Sequence, residues 1–255
     1  MAEISPDTIA GWISRDLIDE AYRPLLDVSS DVLRGRLAGK SPEECADLAE
    51  ATLSHVVSAL ERLHAESLED GVEPKFELSS DEETYYVKAV ASEATRFLDS
   101  LLVLEPAEFE RFCGRVLEGL GGKAKVTGKP GDGGIDFVAR DLATCLPAPP
   151  GAKMTVIGQA KRYSRENLIS ENDLRTFVGA SVRRTSDPDD GDCFRRSILA
   201  PVAFAFWTTS DFQPSAKKFA RALGLWYLNG IALAQLALRL GVAAKPPDAP
   251  LIAPE

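Results

Sequence analysis

The chain has 255 residues, of which 45% are hydrophobic, and its four cysteines include no CxxC pair. This composition is ordinary for a globular protein and argues against a zinc or iron–sulfur site built on cysteines. The sequence has no apolar run near the roughly 18 residues that span a bilayer, and no basic N-terminal region leading into an apolar stretch. We therefore expect a protein of the reducing cytoplasm that has no contact with membranes.

The net charge of −10 argues against a nucleic-acid partner, but the charge is unevenly distributed. Residues 1–100 contain 9 Lys and Arg against 22 Asp and Glu, a balance of −13, whereas residues 101–255 contain 20 against 17, a balance of +3. The second part can therefore present a mildly basic surface to phosphate groups.

Residues 1–104 are predicted to form an acidic, all-helical domain. Helices are indicated near residues 6–22 and 29–38, and Ser41-Pro42 begins a longer one, with Glu44 three residues after the Ser cap. Apolar residues recur at helical spacing from Cys45 to Leu63 and again from Val87 to Leu102. The two stripes favour a helix bundle with an oligomerisation or regulatory role, in which they form either the core or a dimer seam.

The periodicity changes after Glu105-Pro106, and residues 105–241 are predicted to form an α/β domain. A helix over 106–120 precedes β-segments at 123–127, 134–140 and 154–161, and a capping box at Ser170 begins a helix that ends near 184. A buried strand follows at 202–210, then a helix from Pro214 to Gly224, a short strand at 225–228 and a last helix. This order predicts a mixed sheet flanked by helices, followed by a Pro-rich, disordered tail over 242–255.

Three residues near the predicted strands stand out chemically. Asp136 follows the glycine-rich turn GKPGDGG and begins the apolar segment IDFVAR, where a carboxylate is costly unless it has a cation or a hydrogen-bond partner. Asp132 lies in the turn itself, where a turn-closing role is the better interpretation. Gln159 and Lys161 end the segment TVIGQAK and share one face of a strand, because they are two residues apart. That face suits a neighbouring strand that presents Asp136.

A fourth residue, Glu110, lies at the edge of the buried face of the helix over 106–120, close in angle to Leu117. It can face the sheet and still reach solvent, although by itself it is more simply an ordinary surface carboxylate. Its importance depends on the three residues above.

Together these residues fit metal-assisted hydrolysis of a phosphodiester bond. The side-chain oxygens of Asp136 and Gln159 and the backbone carbonyl of Ala160 suit Mg²⁺, for which Mn²⁺ could substitute. Lys161 would orient the attacking water or stabilise the transition state. Glu110 would hold a water on the ion or a second ion.

The run FERFCGRVLEGLGG…VTGKPGDGGIDFVAR…IGQAKRY…LRTFVGA…FWTTSDFQPSAKKFA resembles the Mrr-like restriction endonuclease domain of the PD-(D/E)xK nuclease superfamily. The resemblance covers about residues 105–241 and implies the roles given above for Glu110, Asp136, Gln159 and Lys161. The Gln departs from the superfamily pattern, which has an acidic residue there, although QxK is usual in the Mrr-like branch. It removes one negative charge and leaves the number of metal ions open.

Some further residues are predicted to contact DNA phosphates: Lys129, Arg162, Thr208, Thr209, Ser210 and Lys217. For the hydroxyl residues at 208–210, the alternative is that Ser210 or Asp211 caps the following helix. For Lys217, the alternative is a solvated helix face.

The sequence therefore predicts a metal-dependent endonuclease, of the type IV restriction kind, that cuts foreign or modified double-stranded DNA in host defence. One alternative is a non-catalytic module that binds DNA or protein through a nuclease fold, and another is a junction-resolving nuclease. Because residues 1–104 are acidic and unsuited to bind phosphate, they are expected to join two chains in a homodimer.

Overall fold

The computed structural model describes residues 4–69, 71–127, 134–143, 153–186 and 201–245. Two compact units are present, residues 1–95 and residues 96–255. Within the described ranges, no helix is both long enough and apolar enough to cross a membrane. The predicted disordered tail falls mostly on residues 246–255, which lie outside the described ranges.

The first unit combines helices with a small antiparallel sheet. Its helices are α1 (Pro6–Asp16), α2 (Leu25–Arg36) and α3 (Pro42–Glu69), and its strands are β1 (Arg23–Pro24), β2 (Phe76–Ser80) and β3 (Tyr85–Ala89), in the order β1-β3-β2. The predicted cap of α3 is confirmed, because Ser41 Oγ accepts the Glu44 amide (3.2 Å) and Glu44 Oε2 accepts the Ser41 amide (2.7 Å). The core lies between the helices and the sheet, and includes Ile13, Leu33 and Leu60.

The all-helical description of this region was wrong, since residues 76–89 form a β-hairpin. The apolar positions from Val87 onward have helical spacing, but Tyr85, Tyr86 and Val87 favour a strand. The helix α4 (Glu93–Leu102) begins only after Ser92, whose Oγ accepts the Thr95 amide (3.1 Å). The apolar stripe predicted from Val87 to Leu102 is thus divided between the strand β3 and the helix α4.

The second unit has the predicted mixed sheet flanked by helices. After α4 come α5 (Pro106–Gly119), β4 (Lys123–Val126), β5 (Phe137–Ala143), β6 (Lys153–Lys161), α6 (Glu171–Ser186), β7 (Val202–Thr208), α7 (Pro214–Leu223), β8 (Trp226–Leu228) and α8 (Gly230–Arg239). The sheet order is β4-β5-β6-β7-β8. The first three strands pair antiparallel and the last three pair parallel.

The position of β6 in the sheet depends on close packing against β5. Phe137 lies opposite Gly158, and a Cβ atom built on Gly158 would lie 2.0 Å from the Phe137 ring. That ring is fully buried and its centroid lies 5.2 Å from the Trp207 centroid. A glycine at position 158 therefore lets the two strands meet directly beside Asp136 and Gln159.

Candidate active site

Asp136 immediately precedes β5. It forms hydrogen bonds with the two residues of β6 on either side of Gln159. Its backbone amide donates to the Gly158 carbonyl (2.9 Å), and its Oδ2 accepts the Ala160 amide (2.8 Å). The side chain is nearly buried, with 9% of its surface exposed. The hydrogen bond to Ala160 offsets part of the desolvation cost of a buried carboxylate and fixes its position beside β6.

The Gln159 side chain lies close to the backbone of Gly134, which has no side chain to obstruct it. A Cβ atom built on Gly134 would lie 2.4 Å from Gln159 Nε2, and Gly134 has a φ of +80°, which disfavours other residues. Gln159 is 7% exposed. The carboxamide of Gln159 thus lies against the backbone of the turn that leads into Asp136.

Lys161 is the last residue of β6 and is half-buried. It lies two residues after Gln159 on one continuous strand, so both side chains project to the same face. Between them, Ala160 presents backbone groups toward β5. The Gly158 carbonyl and the Ala160 amide both face Asp136, and alternation along a strand places the Ala160 carbonyl on that side as well.

Glu110 lies on α5, which packs against β4, β5 and β6. It is half-buried, while its helix neighbours Phe109 and Cys113 are fully buried. Burial, together with the negative charges of Asp136 and Glu110, raises the pKa of the Cys113 thiol well above its ordinary value. Glu110 thus lies on the helix that packs against β5 and β6, the two strands beside Asp136 and Gln159.

These donors suit a hard cation by their chemistry. Asp136, Glu110, Gln159 and the Ala160 carbonyl offer oxygen atoms, which Mg²⁺ prefers. Within the described residues, no three side chains of His, Cys, Asp or Glu form a group that could hold a metal ion. The candidate set has only two carboxylates and depends on an amide and a backbone carbonyl for the rest, which is consistent with an ion that keeps several waters.

The comparison with protein families then connects this arrangement to a known domain. Residues 101–188 match the restriction endonuclease family model Mrr_cat. The match confirms the resemblance that the sequence predicted. Its range includes Glu110, Asp136, Gln159 and Lys161 and ends before β7.

The solved structures that resemble this chain are distant. The MspJI restriction endonuclease in complex with a 27-mer oligonucleotide is 18% identical (TM-score 0.41; 61% of this chain and 36% of that chain). The DNA modification-dependent restriction endonuclease AspBHI is 16% identical (0.44; 61% and 38%), and the restriction endonuclease FokI is 11% identical (0.39; 94% and 46%). The chain thus spans less than half the length of each, and these likenesses carry no argument about function. No curated protein matches the chain.

Several residues predicted to contact DNA are engaged in contacts within the second unit. Arg162 Nη1 donates to the Leu102 carbonyl (3.3 Å) at the end of α4, and Lys217 Nζ lies 3.4 Å from Asp211 Oδ1. Thr208, Thr209 and Ser210 are 6% exposed or less. Lys129 lies outside the described residues. Contact of these residues with DNA stays a prediction. The hydrogen bonds, ion pair and burial of the described ones do not favour it.

The alternative that Ser210 or Asp211 caps α7 was wrong. This helix begins at Pro214 with Gln213 as its N-cap, and no side chain caps it. Asp211 Oδ1 instead accepts the Phe212 amide (2.8 Å) and the Asn229 carboxamide (3.3 Å). The segment after β7 is therefore held by contacts within the fold.

Two features of the site were missed from the sequence. One is the approach of Gln159 to Gly134, for which the glycine run was a usable signal. The other is the bonding of the Thr208-Thr209 pair to the end of β6. The sequence did show polar residues at the end of a buried strand. The same residues, however, also fit a contact with DNA phosphates.

Proposed function

We propose that this chain is a metal-dependent endonuclease that hydrolyses phosphodiester bonds of double-stranded DNA. The observation that carries the proposal is the hydrogen bonding of Asp136 to the backbone on either side of Gln159, with Lys161 next along the same strand. Asp136, Gln159 and Lys161 thus lie at the same end of β6. The match of residues 101–188 to a restriction endonuclease family supports the choice of DNA as substrate and a role in defence against foreign or modified DNA.

Asp136, Gln159 and the Ala160 carbonyl would hold Mg²⁺, with Glu110 adding a contact through water. The ion supplies positive charge at the scissile phosphate and makes water a stronger acid. Asp136 is held in place by the Ala160 amide, so little reorganisation is needed when the ion binds. Lys161 would orient the attacking water or stabilise negative charge on the phosphate oxygens.

Cleavage is expected to require a hard divalent cation, because all the proposed ligands are oxygen atoms. Purified full-length protein with supercoiled plasmid and Mg²⁺ should yield nicked and linear DNA. Chelation should stop the reaction, and added Mg²⁺ or Mn²⁺ should restore it.

An Asp136→Asn protein purified in parallel controls for contaminating nucleases. Retained plasmid binding without cleavage would contradict the proposal in favour of a non-catalytic module, and cleavage restricted to four-way junctions would favour a junction-resolving nuclease. Stoichiometric zinc bound through cysteine would contradict the proposed metal site.

We also propose a homodimer joined through residues 1–104, because one active centre cuts one strand and a two-fold dimer matches the symmetry of a duplex. Support comes from the first unit, where Ile18 is 80% exposed and lines a cleft of about 370 Å³. Leu17, Val28 and Val32 also line this cleft. Charged residues also line the cleft: Asp16, Asp19, Arg23, Asp31 and Arg36. A second copy would therefore meet an apolar contact around Ile18 with charged groups of both signs beside it.

Ile18→Asp in the full-length protein should therefore convert dimers to monomers, because it places a carboxylate in an apolar contact. Light scattering measures the change, and Leu68→Asp, at another exposed apolar position of the same unit, should leave the dimer intact. A monomeric unmodified protein, or an Ile18→Asp protein that remains dimeric, would contradict this interface.

A further inference from the structure

The end of β6 is held by two threonines at the end of β7. Thr208 Oγ1 donates to the Lys161 carbonyl (2.8 Å), and the Thr209 amide donates to the same carbonyl (3.2 Å). Two residues further on, Thr209 Oγ1 accepts the Tyr163 amide (2.9 Å) and donates to the Tyr163 carbonyl (2.6 Å). Four hydrogen bonds thus join the two threonines to the segment 161–163.

Both hydroxyl groups donate and accept hydrogen bonds within the protein. Thr208 Oγ1 also accepts the Ser210 amide (3.1 Å), so it acts as donor and acceptor at once. Thr208 is 0% exposed and Thr209 is 1% exposed. Neither hydroxyl is available to a DNA phosphate without breaking the bonds that hold the segment.

The residues that follow Thr208 also contact the start of α8. The Gly230 amide at the start of α8 donates to the Ser210 carbonyl (2.9 Å), and a Cβ atom built on Gly230 would lie 2.4 Å from the Thr209 carbonyl oxygen. The threonine pair therefore lies between the end of β6 and the first residue of a helix. Such packing leaves little freedom for the backbone of Lys161.

We infer that Thr208 and Thr209 are positioning residues that fix the backbone of Lys161, and with it the reach of its ammonium group. The inference rests on the proposed function, since Lys161 is assigned there to the reacting phosphate. Lys161 is the last residue of its strand, so no further strand hydrogen bonds follow it to fix its backbone. Its side chain is also long and flexible. Anchoring the carbonyl of Lys161 reduces the range of positions that its Nζ must search during catalysis.

The test compares Thr208→Val with Thr185→Val in the full-length protein. Thr185 is also buried, and its Oγ1 donates to the Ser181 carbonyl (3.0 Å) within α6, so its replacement removes a comparable hydrogen bond elsewhere. Thr208→Val should lower kcat for plasmid cleavage by about tenfold or more with little change in KM, because misplacement of a catalytic group by 1 Å can cost roughly 10²-fold. Thr185→Val should leave kcat unchanged.

Thr208→Ser keeps the hydroxyl and should restore most of kcat, and Thr209→Val is a second, independent variant that should also lower kcat selectively. A Thr208→Val protein with normal kcat would overturn the inference, and so would a loss that appears mainly in KM, as expected for a DNA contact. Failure of Thr208→Ser to exceed Thr208→Val would also overturn it, because the hydroxyl would then not be the cause.

Amide hydrogen exchange separates this inference from the proposed function. In Thr208→Val, the amides of Thr209 and Ser210 should exchange faster than in the unmodified protein, whereas Thr185→Val should leave them unchanged. If the unmodified protein cleaves no DNA, the proposed function fails, and the exchange data still report on whether the threonine holds the segment. Unchanged exchange in Thr208→Val would overturn the positioning role itself.

Discussion

Replacement of Asp136 by Asn, or of Lys161 by Met, should reduce DNA cleavage by at least about 10²-fold, because the first removes a carboxylate that would hold the ion and the second removes a positive charge from beside the reacting phosphate. Asn at position 136 keeps an oxygen that can accept the Ala160 amide, so the hydrogen bond observed at 2.8 Å can be retained while the charge is lost. Met at position 161 keeps most of the length of the side chain. The rate of plasmid cleavage at saturating DNA measures the effect, and thermal unfolding checks the fold.

Matched controls are available at the far ends of the same strands. Asp141 lies in β5 and pairs with Lys153 of β6, with 3.5 Å between Asp141 Oδ1 and Lys153 Nζ. Asp141 has a φ of +65°, which Asn tolerates well, so Asp141→Asn should fold normally. Asp141→Asn and Lys153→Met should retain cleavage. Full activity in Asp136→Asn or Lys161→Met would remove the assignment of the active site.

Gly134→Ala should lower cleavage at least about tenfold, because a misplaced group at the reacting centre can cost roughly 10²-fold. The added methyl group would lie 2.4 Å from Gln159 Nε2, and the end of this flexible side chain can move away. The displaced carboxamide would then leave its place against the turn that leads into Asp136. The measurements are kcat for plasmid cleavage and the free energy of unfolding.

Gly121→Ala separates this contact from backbone strain. Gly121 has a φ of +84°, close to the +80° of Gly134, but a Cβ atom there would meet no atom within 4 Å. Both variants should lose about 1–2 kcal/mol of stability from the left-handed backbone. Only Gly134→Ala should lose activity, and an equal loss in both would show that strain and not the displacement of Gln159 is responsible.

The second unit was predictable from sequence because its elements are bounded by strong local signals. Ser170 Oγ accepts the Asp173 amide (3.3 Å) and Asp173 Oδ2 accepts the Ser170 amide (2.9 Å), so the predicted capping box begins α6. Gly224 ends α7 in the left-handed conformation, as a glycine after a helix should. These local contacts need no knowledge of the rest of the fold.

The remaining features depend on contacts between residues distant in sequence. Val87 and Val90 fit a helix by spacing, and the pairing of residues 76–80 with residues 85–89 shows that Val87 belongs to a strand. Thr208 contacts Lys161 across 47 positions, and Arg162 contacts Leu102 across 60. The sequence shows that these side chains are polar, but not that they are used inside the protein.

The two glycines beside the candidate centre imply different fates for naturally arising variants. A side chain at position 158 meets the buried ring of Phe137, and such overpacking typically costs about 1–3 kcal/mol, which can lower the cellular abundance of a marginally stable protein several-fold. A methyl group at position 134 meets the movable side chain of Gln159 and also strains a left-handed backbone. Variation at position 158 would thus act through the packing of the core, whereas variation at position 134 would combine backbone strain with displacement of a residue of the proposed centre.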